Sequence, residues 1–135
     1  MFVTKIAIVV RDDLATWQKL NVTAFLMSGI TASNLDLIDE KYVDKEGKFH
    51  LPMSRQPVIV LTGSANVLRN ARNRASERGI PTAAYIDEMF ATGHDEANRA
   101  VFSEHMSNED NTVGIALRAD KKIVDKITKG AKTHS

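Results

Sequence analysis

The chain contains no cysteine. Disulfides, thiolate metal sites and cysteine nucleophiles are therefore excluded, and any metal would have to bind through His50, His94, His105, His134 or carboxylates. Charge of one sign is also lacking: 18 Lys and Arg stand against 17 Asp and Glu, a formal net charge of +1. That balance does not mark a general nucleic-acid binder, although it leaves room for a local basic patch. No stretch approaches the roughly 18 apolar residues of a membrane span. The start, MFVTKIAIVV, has one lysine and runs at once into Arg11-Asp12-Asp13, unlike a signal peptide. The expectation is a soluble cytoplasmic protein without membrane association.

What is present suits one folded domain over residues 1–135. Hydrophobic residues make up 43% of the 135 positions, enough for a core, and 26% are charged, which is not the composition of a disordered segment. The run VTKIAIVV, residues 3–10, reads as a strand buried on both faces. A helix follows over 14–30, with Leu14, Trp17, Leu20, Ala24 and Met27 at spacings of three or four and Asp12-Asp13 at its entrance. From Leu20 onward it is apolar nearly all round, which predicts a buried helix. Residues 35–55 read as an inserted hairpin or loop, with a turn at Asp44 to Gly47. VIVLT, 58–62, is a second strand. Ser64 is placed to cap a helix over 65–78 that stops at Gly79-Ile80-Pro81. A third strand, 82–86, a helix over 94–105, a fourth strand, 112–118, and a final helix, 121–129, capped by Asp120, complete the pattern; residues 131–135 read as a loose tail. Alternating strands and helices with apolar central strands predict a three-layer α/β/α domain on a four-stranded, mostly parallel (mixed) sheet. Arg11–Asp13, Gly63-Ser64 and Asp87-Glu88 all lie just past strand ends, where such folds place their sites.

Three stretches carry a family resemblance: IVVRDDL at 8–14 opening a helix with Lys19, GIPTAAYID at 79–87, and TVGIALRADKKIVDKITKG at 112–130. In this order and spacing they resemble the type-2 peptidyl-tRNA hydrolase superfamily, and within it an uncharacterised bacterial branch. The resemblance implies a cofactor-free, metal-free enzyme that cleaves the ester between a peptide and the 3′ end of tRNA, often as a homodimer. It places the family's helix lysine at Lys19 and its strand-end aspartate at Asp87, with Thr92 as a displaced counterpart of a following threonine. The family's glutamine falls near Thr23 and its histidine near Leu26, so neither is retained. Met89, Phe90 and Ala91 replace a glycine and an arginine. The scaffold matches better than the chemistry.

Metal-free ester hydrolysis needs a base or positioned water and donors for the developing oxyanion. Asp87 would orient water and Lys19 would stabilise negative charge, with Thr92 and His94 assisting; Asn21, Thr23, Arg11 and Phe90 are the candidate binding residues. The alternative is structural: Thr92-Gly93-His94-Asp95 fits a helix start, with threonine as cap and Asp95-Glu96 on the positive end of the helix. A metal clamp from His50, Asp87, His94 and Asp95 is disfavoured, because adjacent residues on a helix point apart. The apolar Met89-Phe90 pair makes the rim less suited to a nucleic-acid backbone, which motivates a second function: a non-catalytic ligand- or protein-binding module. The partners expected are accordingly a tRNA or a small-molecule ligand, together with a second copy of the chain.

Overall fold

The computed structural model describes residues 2–135. Strand β1 (Thr4–Arg11) is followed by helix α1 (Thr16–Ser33), a 3-10 turn at Leu35–Leu37, and a hairpin of β2 (Tyr42–Val43) and β3 (Phe49–His50). Then come β4 (Val58–Gly63), α2 (Ala65–Glu77), β5 (Ala83–Ile86), a 3-10 segment at Asp87–Ala91, α3 (Asp95–Ser103), β6 (Thr112–Asp120), α4 (Lys121–Ile127) and β7 (Lys132–Thr133). The main sheet has five strands in the order β5-β6-β1-β4-β7.

Two expectations about the sheet need correction. The sheet is mixed, as expected, but mainly antiparallel: β1 and β4 run parallel, whereas β6 is antiparallel to both β1 and β5, and β7 is antiparallel to β4. The fifth strand is the tail. Lys132 and Thr133 pair with Thr62 and Leu61, and the His134 N–H donates to the Val60 carbonyl at 3.1 Å, so the segment is tied down rather than loose.

Alternation along β1 divides the core in two. Ile6, Ile8 and Val10 face α1, packing with Val22, Leu26, Ile30 and Val113. Ala7 and Val9 face the other way, toward Leu68, Ala71 and Ala75 of α2 and Val124 and Ile127 of α4. Helices thus cover both faces, and the period-two alternation of strand side chains is what lets one strand feed both cores. Gly114 lets α1 approach: a Cβ there would lie 2.4 Å from Val22 Cγ1 and 3.0 Å from Leu26 Cδ1.

Local signals account for most boundaries. Ser64 caps α2 by accepting from the Val67 N–H at 3.3 Å, and Asp120 caps α4 by accepting from Lys122 at 3.0 Å. After α2, Gly79 takes φ +64° and the Ile80 N–H returns to the Ala75 carbonyl at 2.9 Å, the left-handed exit that glycine allows. The entrance to α1 differs from expectation. Its N-cap residue is Ala15, no acid lies in its first turn, and the Gln18 amide oxygen accepts from the Ala15 N–H at 2.9 Å. Nor is α1 buried all round: Trp17, Leu20 and Phe25 are exposed, and only Val22, Leu26 and Ile30 are fully buried.

The hairpin forms where the turn residues place it. Tyr42 pairs with His50 and Val43 with Phe49. Asp44 accepts from Glu46 and Lys48 N–H groups at 2.9 and 3.0 Å, and from His50 Nε2 at 2.8 Å. These bonds, that from His50 foremost, hold its carboxyl below the ordinary value. At the base, the Arg55 N–H donates to the Leu37 carbonyl at 2.8 Å, and Arg118 forks onto Asp36 with two bonds of 2.9 Å.

Candidate functional site

The parallel run of β1, β4 and β5 brings Arg11, Gly63 and Ile86 to one edge of the sheet. Asp87 opens the 3-10 segment there, anchored by its N–H to the Asn111 carbonyl at 2.9 Å. Arg11, largely buried, lies 2.5 Å from Asp13 and 3.6 Å from Asp87, so its guanidinium ties the end of the first strand to the end of the third parallel one.

Beside this rim, the 3-10 segment and the N-terminal half of α1 enclose a cavity of about 220 Å³. Its body is aromatic. Phe90 meets Trp17 edge-on at 5.9 Å between ring centroids and Tyr85 at 5.2 Å, and Tyr85 meets Phe25 at 5.7 Å. Trp17, Asn21 and Phe25 are spaced four apart, which puts them on one face of α1. Burial pushes the Tyr85 phenol above its ordinary pKa. Its polar lining comes from Asn21, Thr92, His94, Asp95 and Asn98.

The cap of α3 is His94, not Thr92. In extended conformation, it accepts the Ala97 N–H on Nδ1 at 3.2 Å. That bond uses the lone pair on Nδ1, which leaves Nε2 as the ring's free donor position. Thr92 instead caps the preceding turn: its hydroxyl reaches the Met89 carbonyl at 2.9 Å and touches the Asn98 side-chain amide. Asp95 and Glu96 occupy the first turn of α3, and Asp95 pairs with Arg99 at 2.7 Å.

The candidate residues divide accordingly. Asn21, Phe90, Thr92 and His94 meet at the cavity. Lys19 does not line it; its ammonium lies 3.3 Å from His134 Nε2 of the tail, while Asp87 is engaged by Arg11. No ion pair joins Lys19 to Asp87. Thr23 turns its hydroxyl back on the Lys19 carbonyl at 2.7 Å, a helix-internal bond. The residues overlooked in the sequence are Trp17, Phe25, Tyr85 and Asn98. The four-residue spacing of Trp17, Asn21 and Phe25 is the signal that identifies their shared face.

A second polar cluster lies on the far side of the 3-10 segment. His105 sits between two carboxylates, with Nε2 3.5 Å from Glu88 and Nδ1 3.3 Å from Glu109. The Met106 N–H and His105 hold the Glu109 carboxyl below its ordinary value. Asn111 donates to Glu88 at 2.9 Å, and Arg72, its pKa lowered by burial, stacks over Phe102 at 5.2 Å. Among the described residues no group of three or more His, Asp or Glu side chains is arranged to hold a metal. His50, in the hairpin, is bound to Asp44 rather than to the His94 region.

The arginines of α2 are likewise occupied. Arg69 pairs with Asp110 at 2.7 Å, Arg72 donates to Thr112 at 3.1 Å, and Arg74 reaches the carbonyls of Ile127 and Lys129. No helix is long and apolar enough to cross a membrane among the described residues.

No curated protein matches the chain. One solved structure, a protein of unknown function from Agrobacterium tumefaciens strain C58, is 58% identical over the full length of both chains and superposes with a TM-score of 0.98. A family model described as "Protein of unknown function (DUF2000)" matches residues 4–135, and the chain therefore belongs to the DUF2000 family.

Proposed function

We propose that the protein is a non-catalytic binding module whose aromatic cleft takes a ligand with a single ring and an adjoining polar group, on a scaffold resembling the type-2 peptidyl-tRNA hydrolases. The observation that carries this reading is the cleft beside Phe90, walled by Trp17, Phe25 and Tyr85 and lined in addition by polar side chains. Such a balance of apolar body and few convergent polar groups is typical of small-molecule sites. Its volume accommodates a single ring: an apolar cavity of ~150 Å³ takes benzene, and about 220 Å³ leaves room for one polar substituent. Asn21 and Asn98 offer both donors and acceptors to such a group, and His94 offers Nε2–H. Asn98 already touches Thr92, so a ligand amide would compete with or extend that contact.

The test is binding of benzamide, a ring with one carboxamide, followed by amide chemical shifts. Saturable shifts at Asn21, Gly93 and Asn98 that vanish in Phe90→Ala support the reading. Absence of shifts at these positions in the folded protein rejects it.

The second reading is cofactor-free hydrolysis of a peptidyl-tRNA-type ester by Lys19 and Asp87 with Thr92 or His94. It draws on one observation, the Lys19–His134 approach of 3.3 Å, which gives the lysine a neighbour able to take up a proton. Against it stand the separate engagements of Lys19 and Asp87 and the internal pairing of the α2 arginines, which leaves little free basic surface there for a tRNA backbone. Hydrolysis of purified peptidyl-tRNA by the wild type, abolished in both Lys19→Ala and Asp87→Asn, would establish this reading; an inactive, folded wild type would end it. Dimerisation, expected from the family resemblance, belongs with the same reading and is tested by sedimentation.

A further inference from the structure

A second cavity, of about 850 Å³, continues from the aromatic cleft and shares Phe25, Tyr85, Met89, Asp95 and Asn98 with it. It is a groove between the outer edge of β5 and helix α3, floored by Thr82 to Tyr85 and flanked on the other side by Ser28, Gly29 and Ser33 of α1. β5 is the edge strand on this side of the sheet. The direction of its main-chain groups can be read from two bonds. The Asp87 N–H turns inward to the Asn111 carbonyl, whereas the Ile86 N–H meets the Met89 thioether, at 3.5 Å. Backbone groups alternate along a strand, so Ala84 presents its N–H and carbonyl to the same outer edge as the Ile86 N–H. Ala83 and Ala84 carry the smallest side chains available to a chiral strand, which leaves that backbone approachable. None of Ala83 to Ile86 is charged, so the edge lacks a common protection against strand pairing.

Across the groove, α3 is equally incomplete. Its sequence is amphipathic, yet none of its nine residues is buried and none belongs to either core. A helix this short is marginal without a packed face. One groove thus separates an unpaired strand edge from a helix that joins neither core, and the thickness of a single added strand, ~4.8 Å from β5, would reach both.

We infer that this groove binds an extended, uncharged peptide segment of another protein, which adds to β5 as an antiparallel or parallel strand and places one aromatic side chain in the cleft beside Phe90. The inference rests on the cleft reading for its anchor residue. The mode is strand addition, in which main-chain bonds supply affinity and alternate side chains supply specificity. Charge selects the occupant: Asp95 and Arg99 are the ionic side chains among the residues lining the groove, and they neutralise each other at 2.7 Å. The remaining polar lining is hydroxyl and amide, from Ser28, Ser33, Thr82, Asn98 and Ser103, together with the rings of Phe25, Tyr85 and Phe102.

The probe is a displayed library of roughly eight-residue peptides lacking Asp, Glu, Lys and Arg, with phenylalanine fixed near the centre, selected on the whole chain. Selected peptides are expected to slow hydrogen exchange at the Ala84 amide. They should lose at least about tenfold in affinity in Ser103→Trp, which fills the groove without lining the aromatic cleft; Ser28→Trp serves the same purpose from the opposite wall should the first variant not fold. Failure to enrich any peptide, or binders indifferent to both variants, overturns the inference. So does concentration-dependent protection of the β5 amides in the protein alone, because the edge would then belong to a second copy. Benzamide separates the two readings: if it binds at Phe90 while no peptide does, only strand addition fails, and if neither binds, the cleft reading fails with it.

Discussion

The rings of Tyr85 and Phe90 meet at 5.2 Å with their planes inclined by 48°, joining the last turn of an edge strand to the 3-10 segment that follows it. Trp17 and Phe25 approach this pair from α1, so the cleft depends on a helix and a strand end held at fixed separation.

Phe90→Ala should open the cleft and cost about 2 kcal/mol, below the ~3–5 of a fully buried phenylalanine because the ring is half-buried. Urea unfolding measures the loss. Because Trp17 touches Phe90 and is the single tryptophan, its emission should shift to the red in the folded variant.

Gly114→Ala tests how α1 is held. The new methyl would meet Val22 and Leu26 inside the core, and α1 would have to retreat from β6. A stability loss of ~1–3 kcal/mol is expected from overpacking. Ligand affinity at the cleft should fall as well, since α1 carries Trp17, Asn21 and Phe25. Unchanged stability would mean that the helix yields freely.

Asp36 links stability to acid. Its hydrogen bond from Arg118 holds the carboxyl below its ordinary pKa. A depressed folded-state value contributes stability above the unfolded pKa and loses it as pH falls through the folded one. Wild type should therefore lose more stability than Asp36→Asn as pH drops below about 4. Parallel pH titrations of the urea midpoint decide it; identical slopes would remove Asp36 from the acid response.

His94 separates capping from catalysis. His94→Ala should raise local opening of α3 by about 1 kcal/mol in hydrogen exchange, through loss of the bond to the Ala97 N–H. His94→Asp, which restores a good cap, should recover the protection. A histidine whose only role is capping is replaceable in this way, and an imidazole needed for ligand contact is not, so benzamide affinity in His94→Asp reports the second role.

Much of the fold was legible because β1, β4 and β6 are continuous apolar runs and because Ser64, Gly79 and Asp120 mark helix ends by chemistry that acts locally. Strand direction was not legible: the hydrophobic pattern of β6 is the same whichever way it runs, and only the connection through α3 decides it. β7 was missed because Lys132 and Thr133 pair through backbone alone, with both side chains exposed. At the site, Phe90, Thr92 and His94 were legible because they fall within five residues of one another. Their partners Trp17, Phe25 and Tyr85 read as core residues, since nothing in an apolar helix tells a face against the sheet from a face beside a cleft. Asp12 and Asp13 suited a helix entrance, but Arg11 takes Asp13 and the helix begins at Thr16.

The most direct test of the cleft as a binding site is a benzamide titration of the wild type and of Phe90→Ala, following the backbone and side-chain amides of Asn21, Gly93 and Asn98. The account predicts saturable shifts at these positions in the wild type and none in the variant. Shifts scattered over the surface, or of equal size in Phe90→Ala, would contradict it.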